Sequence, residues 1–413
     1  MSVYDRWHKT HPKPDEPVCR EHKRVPTLDH GQGERWQVRW RDHNGKQCKR
    51  NFERKAGADP ERCADAFDAK VQAGLDAGTS IDHAAGKTKL KDYAGIWRRD
   101  LLHRDSTVER MATVFRIHID PVLGHLPMAQ VRSSHLRAWV KNRSEVLAPS
   151  TLAVAYSYIV TLFNSALIDR AIGLSPCLGV RLPDVEKHQH YIPTPDQVHT
   201  IAETLTPRYS AIGYLAAGCG LRGGEITGLE VDAIDFLRRE VDVRQQLVCL
   251  TGRRPFLAPT KTKTSVRTVE LPEVTGAALA WHLKNYPPIE IEIDDHTDPR
   301  NPRRRMAKLV FLGRTKRPIS RSDWAHIWAP ARDAAGIPNG IGLHCLRHYF
   351  ATLLIHNGAS VKTVQMALGH ATPTITLNTY VGEWPEPHEK TRSIVDSALG
   401  SVPRLCPEKT AEK

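Results

Sequence analysis

Hydrophobic and polar residues alternate in the N-terminal part of the chain, between residues 35 and 55. Trp36, Val38 and Trp40 are separated by single polar residues, an Asn-Gly pair follows at 44–45, and a second alternating run comes after it. Alternation on both sides of an Asn-Gly pair is typical of a β-hairpin. A stretch with helical spacing opens near residue 59, so the pattern predicts a small sheet-plus-helix module.

The hydrophobic spacing becomes helical from Leu90 to about Val185. Apolar residues recur every three or four positions in four segments, which predicts an all-α domain of four short helices. After a Pro-containing connector, the pattern predicts a helix from Pro195, a β-rich stretch over 241–272, an irregular loop near 285–308 and further helices. The expected fold class is therefore multidomain, mainly α with small β-sheets, and its last domain is α+β.

These changes of pattern divide the chain into five segments. Residues 1–30, rich in Pro, His and charge, are expected to be a flexible N-terminal arm, and 31–85 to be the sheet-plus-helix module. The helical domain is expected over 86–185 and the α+β domain over 190–400. Residues 401–413 are predicted to be a polar tail.

The net charge of the chain adds an expectation about its binding partner. Lys and Arg exceed Asp and Glu by 13 among 413 residues, and the sequence pI is about 9.4. Such an excess favours a polyanion such as nucleic acid, although a basic surface can also be merely solvated. The predicted hairpin is rich in basic residues, which either contact DNA or only keep the hairpin soluble. The candidate DNA contacts are Arg35, Arg39, Arg41, Lys46, Lys49 and Arg50.

Cysteine usage and hydropathy indicate a reduced, intracellular protein. The eight cysteines are scattered without a CxxC pair, which predicts neither a zinc module nor a disulfide framework, and no metal or cofactor is expected. The N-terminus lacks the apolar run of a signal peptide, and no stretch approaches 18 consecutive apolar residues. We therefore expect a cytoplasmic protein without a membrane span.

Four separated clusters in the last domain carry candidate chemistry. In GCGLRGGEITGL, Arg222 lies between glycines at a helix junction, where a ligand can approach the backbone, and Glu225 could orient its guanidinium or cap the helix. In PTKTKTSVRTVEL, Lys261 and Lys263 lie at the exposed start of a strand predicted after a turn. Taken singly, each cluster is more typical of a structural turn than of a site.

The other two clusters contain His, Arg and Tyr. GLHCLRHYFATLLIHNG is predicted to be an amphipathic helix on which His344 and Arg347 project from one face. The His344 and His348 spacing could suit a metal, but Arg347 lies between them and the Glu of a HExxH motif is missing. In LGHATPTITLNTYVG, His370 begins a turn and Tyr380 follows on a short segment, where a Tyr is most often a core residue.

Together the clusters suit phosphoryl transfer without a metal. They supply two guanidiniums, an ammonium, two imidazoles and a phenol, with neither an acidic pair for Mg²⁺ nor a Ser-His-Asp set. Fixed cations can neutralise the charge that develops on the non-bridging oxygens of a phosphodiester under attack. The nucleophile must be able to form a covalent phosphoester, and Tyr is able to do so.

The order and approximate spacing of these motifs resemble those of the tyrosine recombinase (phage integrase) family. The segment 88–185 is similar to the family's helical core-type DNA-binding domain, and the segment near 30–80 to the β-sheet arm-binding module of many integrases. The motifs that carry the resemblance are Arg222, Lys261 and Lys263, His344-x-x-Arg347, Gly369-His370 and Tyr380.

The resemblance implies that Tyr380 attacks the scissile phosphorus, which gives a 3′-phosphotyrosyl bond and a free 5′-hydroxyl. Arg222 and Arg347 would clamp the non-bridging oxygens, since Arg supplies bidentate geometry. His370 would bind the phosphate, and His344 would assist proton transfer at the tyrosine. Because the phosphotyrosine stores the bond energy, rejoining would need no ATP.

The same resemblance assigns the general acid to a lysine. That residue would protonate the leaving 5′-oxygen. The repeated Lys-Thr offers both Lys261 and Lys263. The family's tendency to place this lysine at the start of such a strand slightly favours Lys261, and Lys263 stays open.

The implied protein is a site-specific integrase that inserts, and in some cases excises, a mobile element. Its partners would be double-stranded DNA attachment sites and further copies of itself in a tetrameric synaptic complex, with an excisionase and a DNA-bending host factor as candidates. A type IB topoisomerase-like nicking-closing enzyme shares the chemistry, but the basic hairpin favours the recombinase. A catalytically inert DNA-binding regulator is the other alternative, and a covalent protein–DNA adduct would exclude it.

Overall fold

The chain divides into two units, residues 1–187 and 188–413, and each combines helices with at least one small sheet. The computed structural model describes residues 2–41, 47–76, 82–186, 190–380 and 382. The predicted fold class, mainly α with small β-sheets, is confirmed. The predicted polar tail, 401–413, lies outside the described residues.

The first unit begins with a three-stranded antiparallel sheet in the order β1-β2-β3. Its strands are β1 (Ser2–Asp5), β2 (Trp36–Arg41) and β3 (Gln47–Phe52). The hairpin expected around residues 44–45 is formed by β2 and β3, with Trp36 opposite Phe52. Helix α1 (Ala64–Asp76) covers one face, where Val38 and Phe52 are buried. The turn itself, with the candidate DNA contact Lys46, lies outside the described residues.

The flexible arm expected for residues 1–30 is wrong for the described part of that segment. β1 pairs along the edge of β2, so that Val3 faces Val38, and a bridge between His8 and Pro26 closes the loop that follows. This segment contributes few buried apolar side chains. Backbone pairing and polar contacts hold it instead, and low hydrophobicity alone does not reveal such contacts.

The rest of the first unit is a helical domain. Its helices are α2 (His83–Lys87), α3 (Leu90–Asp100), α4 (Asp105–Val114), a π-helical turn (Phe115–Ile119), α5 (Asp120–Leu123), α6 (Ser133–Ser144) and α7 (Pro149–Ile168). Helix α7 is long and apolar enough to cross a membrane, with a mean hydropathy of 1.5. Seven of its 20 residues, Ile159 among them, are buried in the core of this domain. That burial is the behaviour of a central core helix.

The second unit surrounds its central helices with two small sheets. The helices are α8 (Pro195–Thr204), α9 (Ser210–Cys219), α10 (Gly223–Thr227), α11 (Glu273–Asn285), α12 (Arg321–Ala334), α13 (His344–His356), α14 (Val361–Leu368) and α15 (Pro373–Tyr380). The strands are β4 (Ile234–Asp235), β5 (Glu240–Val243), β6 (Gln245–Val248), β7 (Phe256–Pro259), β8 (Arg267–Glu270), β9 (Ile291–Asp295) and β10 (Arg303–Ala307). One sheet has the order β4-β5-β8 and the other β10-β9-β7-β6.

The irregular loop expected near 285–308 is wrong, because two parts of this segment, β9 and β10, form an antiparallel strand pair. The charges of this segment pair across the two strands. Arg304 bonds Asp294 at 2.8 Å and Arg305 bonds Asp295 at 2.7 Å. A charge-rich stretch can therefore be a strand when opposite charges face each other across the ladder.

The helical domain offers a matched test of its core. Ile159 is fully buried on α7, whereas Ile168 at the end of the same helix is 80% exposed. We expect Ile159→Ala to lower the free energy of unfolding by about 2–5 kcal/mol, because it leaves a cavity, and Ile168→Ala to change it by no more than about 0.5 kcal/mol. Urea denaturation of the full-length protein, followed by circular dichroism, measures both. Equal effects of the two variants would contradict the packing described.

Candidate active site

Helix α9 ends at a position that only glycine can occupy. Gly220 has φ of 63°, and a Cβ built on it would lie 2.4 Å from Cδ1 of Phe350. The chain then turns into the short helix α10, with Arg222 as its N-terminal cap. Glu225 accepts both the backbone N–H of Arg222 at 3.0 Å and its guanidinium N–H at 2.7 Å. Glu225 thus caps the helix and orients the arginine, the two roles considered for it.

The carboxylate of Glu225 also holds a second guanidinium, which the sequence did not single out. Arg267 on β8 donates to it at 3.1 Å. Both Arg267 and Glu225 are nearly enclosed, with 6% and 2% of their side chains exposed. Burial raises the pKa of Glu225, but the charges and hydrogen bonds of Arg267 and Arg222 outweigh it and the net pKa is lowered. The carboxylate therefore stays ionised between its two partners.

A third guanidinium, that of Arg347, is only 1% exposed. It donates to the backbone carbonyls of Gly220 and Leu368, at the ends of α9 and α14. Carbonyls at helix C-termini carry partial negative charge, which favours a cation there. Burial, and next the charge of Arg222, lower the pKa of Arg347 to about 9, so the group remains protonated at neutral pH.

The two candidate lysines lie in an exposed connection that is tied to this cluster. Lys261 and Lys263 lie between β7 and β8, which pair in different sheets, so the connection is not a hairpin. Ser265, fully buried, accepts from Arg222 at 3.4 Å and donates to the carbonyl of Gly369 at 3.2 Å. Ser265 therefore fixes the lysine segment beside the turn that follows α14.

That turn approaches the lysine segment so closely that a side chain at Gly369 would be strained. Gly369 has φ of 64°, and a Cβ there would lie 3.0 Å from Cα of Ser265 and 3.0 Å from the carbonyl oxygen of Thr264. The next residue, His370, has its Nδ1 2.8 Å from the hydroxyl of the buried Thr376 on α15. Burial and the charges of Arg347, Arg222 and Arg267 lower the pKa of His370 to about 4. The neutral ring keeps Nε2 available for a ligand.

Tyr380 is 2% exposed at the end of α15, and its hydroxyl lies 2.7 Å from Nδ1 of His348. His348 was considered from sequence only as a metal ligand. Its ring stacks on that of His190 at 4.1 Å and meets that of His344 edge-on at 4.8 Å. Burial and the neighbouring cations and imidazoles lower the pKa of His348 to about 3. The Tyr380 hydroxyl is thus placed against His348, whose ring also contacts the rings of His190 and His344.

Desolvation, followed by the charges of Arg347 and Arg222, also lowers the pKa of His344. At neutral pH the three imidazoles at 344, 348 and 370 are therefore uncharged. Within the described part of the chain, the fixed charges of the pocket are the three guanidiniums of Arg222, Arg267 and Arg347 against the carboxylate of Glu225. Such a pocket has a positive potential that an anion would neutralise. The pocket also contains residues that were not among the predicted catalytic residues. These are Ser265, Arg267, His348 and Thr376.

The candidate DNA contacts of the N-terminal sheet fall into two groups. Arg39, Arg41 and Lys49 share the face opposite α1, where Arg39 and Lys49 are direct cross-strand partners. Arg35 is instead bonded to Asp5 at 2.8 Å. Arg50 lies on the helix-covered face, bonded to Glu61 at 2.8 Å and stacked over Phe52 and Phe67. The structure thus brings three of the five described residues together.

Residues 193–385 match the phage integrase family model. A tyrosine recombinase XerC-like protein of Caldanaerobacter subterraneus subsp. tengcongensis is 26% identical over 385 residues, which cover 86% of this chain and 92% of that protein. The integrase of Mycobacterium phage D29 is 26% identical over 298 residues, which cover 71% of this chain and 75% of that integrase.

Solved structures show the same fold. The Tn1549 transposon integrase in complex with a circular intermediate DNA superposes with a TM-score of 0.63 at 21% identity, over 76% of this chain and all of that one. A lambda integrase dimer bound to a COC′ core site gives 0.52 at 15% identity, over 91% of this chain and 99% of that one. The resemblance inferred from the sequence motifs is confirmed: residues 193–385 form a phage integrase family domain, and the chain is similar over most of its length to a tyrosine recombinase.

Proposed function

We propose that this recombinase is a cytoplasmic, site-specific integrase that cleaves and rejoins DNA through a 3′-phosphotyrosyl bond to Tyr380. The observation that carries the proposal is the placement of the Tyr380 hydroxyl against His348, within a pocket whose fixed charges are mainly guanidiniums. A phenol and fixed cations are the groups that metal-free transfer of a phosphodiester requires.

Cleavage would proceed by attack of the Tyr380 oxygen on the phosphorus. The P–O bond to the 5′-oxygen breaks, and the phenolic proton passes to a neighbouring imidazole or to water. Arg222, with 24% of its side chain exposed, would contact a non-bridging oxygen directly. The buried Arg347 would stabilise the phosphate through its charge and through the N–H groups that are not bonded to the carbonyls of Gly220 and Leu368. A lysine of the 261–263 segment would protonate the leaving 5′-oxygen.

His370 would bind the phosphate as a neutral hydrogen-bond donor. If Thr376 donates its hydroxyl proton to Nδ1, the tautomer that remains carries its proton on Nε2. That N–H can then donate to a phosphate oxygen without adding a charge to the pocket. His344, the first residue of helix α13, would assist proton transfer at the Tyr380 hydroxyl once DNA is bound.

The described arrangement is a resting one, because the attacking oxygen is enclosed. Tyr380 is 2% exposed, and a His348 with a pKa of about 3 is too weak a base to deprotonate a phenol. Attack therefore requires the tyrosine to leave His348 and reach the phosphate. The short helix α15, which carries it, is the element that must shift.

The donor set favours chemistry without a metal at this site. Glu225, the carboxylate that bonds two of the site's guanidiniums, is committed to Arg222 and Arg267. Binding Mg²⁺ there would break both ion pairs and bring a dication against three guanidiniums. Rejoining reverses the attack, with the 5′-hydroxyl displacing the tyrosine, so it consumes no ATP.

The open face of the N-terminal sheet would contact a second stretch of DNA. Arg39 and Lys49 face each other across β2 and β3, and like charges directly opposite destabilise a sheet. A bound phosphate would remove that repulsion. Two DNA contacts per chain suit an integrase that assembles as a tetramer on attachment sites, with an excisionase or a DNA-bending host protein as further candidates. They favour recombination over a topoisomerase or a catalytically inert regulator.

We expect Tyr380→Phe to abolish the covalent protein–DNA adduct. The crossover site is first located by sequencing the junctions of the inserted element, and the substrate is a nicked duplex that carries it. Loss of the bond to His348 leaves a buried acceptor and should cost about 1–3 kcal/mol of stability, so DNA binding should persist. Tyr349→Phe, on the adjacent helix, is the matched control and should form the adduct. An adduct formed by the 380 variant would assign the nucleophile elsewhere.

For the general acid, Lys261→Ala should slow cleavage roughly 10²–10⁴-fold, and Lys263→Ala should slow it much less. A substrate with a 5′-bridging phosphorothiolate should restore the defective variant, because a thiolate leaves without protonation. Single-turnover cleavage of both substrates measures this. If the substrate rescues the Lys263 variant instead, Lys263 is the general acid. If neither variant is impaired, the 261–263 segment does not supply the general acid.

The two groups of basic residues in the N-terminal sheet should behave differently. Replacement of Arg39 and Lys49 by Gln should reduce the salt dependence of binding to attachment-site DNA outside the crossover core, by about 0.9 in log–log slope for each phosphate that is no longer neutralised. Stability should stay level or rise. Arg50→Gln should lower stability and leave the slope unchanged. A slope that is the same in the double variant and the wild type would contradict the proposed DNA binding by this face.

A further inference from the structure

Four metal-ligating side chains meet in the N-terminal segment of the first unit. They are His8, Cys19, His22 and His30, whose candidate ligand atoms all lie within 4.8 Å of one another. The Cys19 sulfur is 3.4 Å from Nε2 of His8 and 3.7 Å from Nδ1 of His22. The three imidazole rings are mutually edge-on, at 66°, 78° and 72°. Ligands from separated parts of the segment thus converge on one point.

These separations match a tetrahedral zinc ion. With Zn–S of about 2.3 Å and Zn–N of about 2.0–2.1 Å, tetrahedral angles place sulfur and nitrogen about 3.6 Å apart. The two observed distances lie on either side of that value. A thiol hydrogen bond alone would not require two imidazole nitrogens to face the same sulfur, because a thiol carries one proton.

The fourth ligand supplies an independent observation. Nε2 of His30 is buried, and it has no hydrogen-bond partner among the residues that the structure describes. Buried polar atoms are seldom left unpaired, and an unpaired one indicates a missing ligand or ion. A metal bound between the four side chains would satisfy this nitrogen.

The surroundings also have the form of a metal site. Nδ1 of His8 is bonded to the carboxylate of Asp5 at 2.9 Å, so Nε2 is the nitrogen presented to the cluster. A carboxylate behind a ligating imidazole fixes its orientation and raises its basicity. The backbone N–H of His22 points to the Cys19 sulfur at 3.3 Å and would stabilise a thiolate.

We propose that His8, Cys19, His22 and His30 bind a structural zinc ion. One thiolate and three imidazoles suit Zn²⁺, and four protein ligands close the coordination sphere, as in structural rather than catalytic sites. The site is independent of the function proposed above for Tyr380.

The fold of this segment explains why a metal would be needed. The nearby apolar cluster has only Val38, Phe52 and Ala64 fully enclosed. Small modules with so little core generally require a metal or a disulfide, and the seven cysteines of the described residues are free thiols. A bound ion would join the ends of β1 and β2 and, through Asp5, hold Arg35.

The prediction that the scattered cysteines form no zinc module considered CxxC pairs alone. The available signal was Cys19-x-x-His22, a thiol and an imidazole at metal-ligand spacing, with His8 and His30 on either side. Three histidines and one cysteine spread over a Pro-rich stretch do not match a standard zinc-binding sequence pattern.

The test measures metal in the full-length protein, purified without added chelator. We expect about one zinc per chain in the wild type, by plasma mass spectrometry, and a drop of at least fivefold in Cys19→Ser and His30→Ala. Cys48→Ser, on β3, and His11→Ala, an exposed residue of the same segment, are matched controls and should keep the metal.

Cobalt replacement separates metal binding from a general folding defect. The Co²⁺-loaded wild type should show visible bands of a tetrahedral site and a thiolate-to-cobalt band in the near ultraviolet. Cys19→His should keep the tetrahedral bands and lose the thiolate band, and Asp5→Asn should bind zinc roughly 10–100-fold more weakly. Zinc contents equal in wild type and both ligand variants, or a wild type that binds neither ion, would overturn the proposal.

Discussion

The buried carboxylate of Glu225 is the group on which the candidate active site depends. Three guanidiniums converge there, and mutual repulsion and desolvation both oppose their burial. Glu225 compensates two of them, Arg222 and Arg267, while capping helix α10. Arg347 is compensated differently, by carbonyls at the ends of two helices. Removing this carboxylate would leave Arg222 and Arg267 without the anion that they share. The ion pairs that fix the geometry therefore also offset the positive potential of the pocket.

Close backbone contacts make this arrangement possible. Gly220 lies against Phe350 and Gly369 against the segment 264–265, and both have positive φ. Each glycine ends a helix whose last carbonyls are used by Arg347 or Arg267. These two glycines therefore shape the site through close contacts with neighbouring parts of the chain. They let helix ends approach the cations, and the cations in turn hold the helix ends together.

The sequence motifs predicted residues whose chemistry is unusual in its setting, and they left out residues whose position in the pocket is set by tertiary contact. Arg222, Arg347 and Tyr380 could be identified from motif order, and the β2–β3 hairpin from alternation around Asn-Gly. Arg267 looked like an ordinary strand residue, because its partner Glu225 is 42 positions away. The strands β9 and β10 looked like a loop because their charges pair only when the two strands meet. Pairings of this kind have no local signal in one sequence.

The inward positions of two acidic residues, Glu225 and Asp5, help to explain why the net positive charge indicates an anionic partner. At the candidate active site Glu225 faces inward to Arg222 and Arg267, and in the N-terminal sheet Asp5 faces inward to Arg35 and His8. In both places the carboxylate is used for internal structure. The basic residues around it, such as Arg39 and Lys49 across the open sheet face, have no such opposite charge as a direct cross-strand partner. Lys and Arg exceed Asp and Glu by 13 over the whole sequence, and the phosphates of DNA can neutralise a basic surface such as this sheet face.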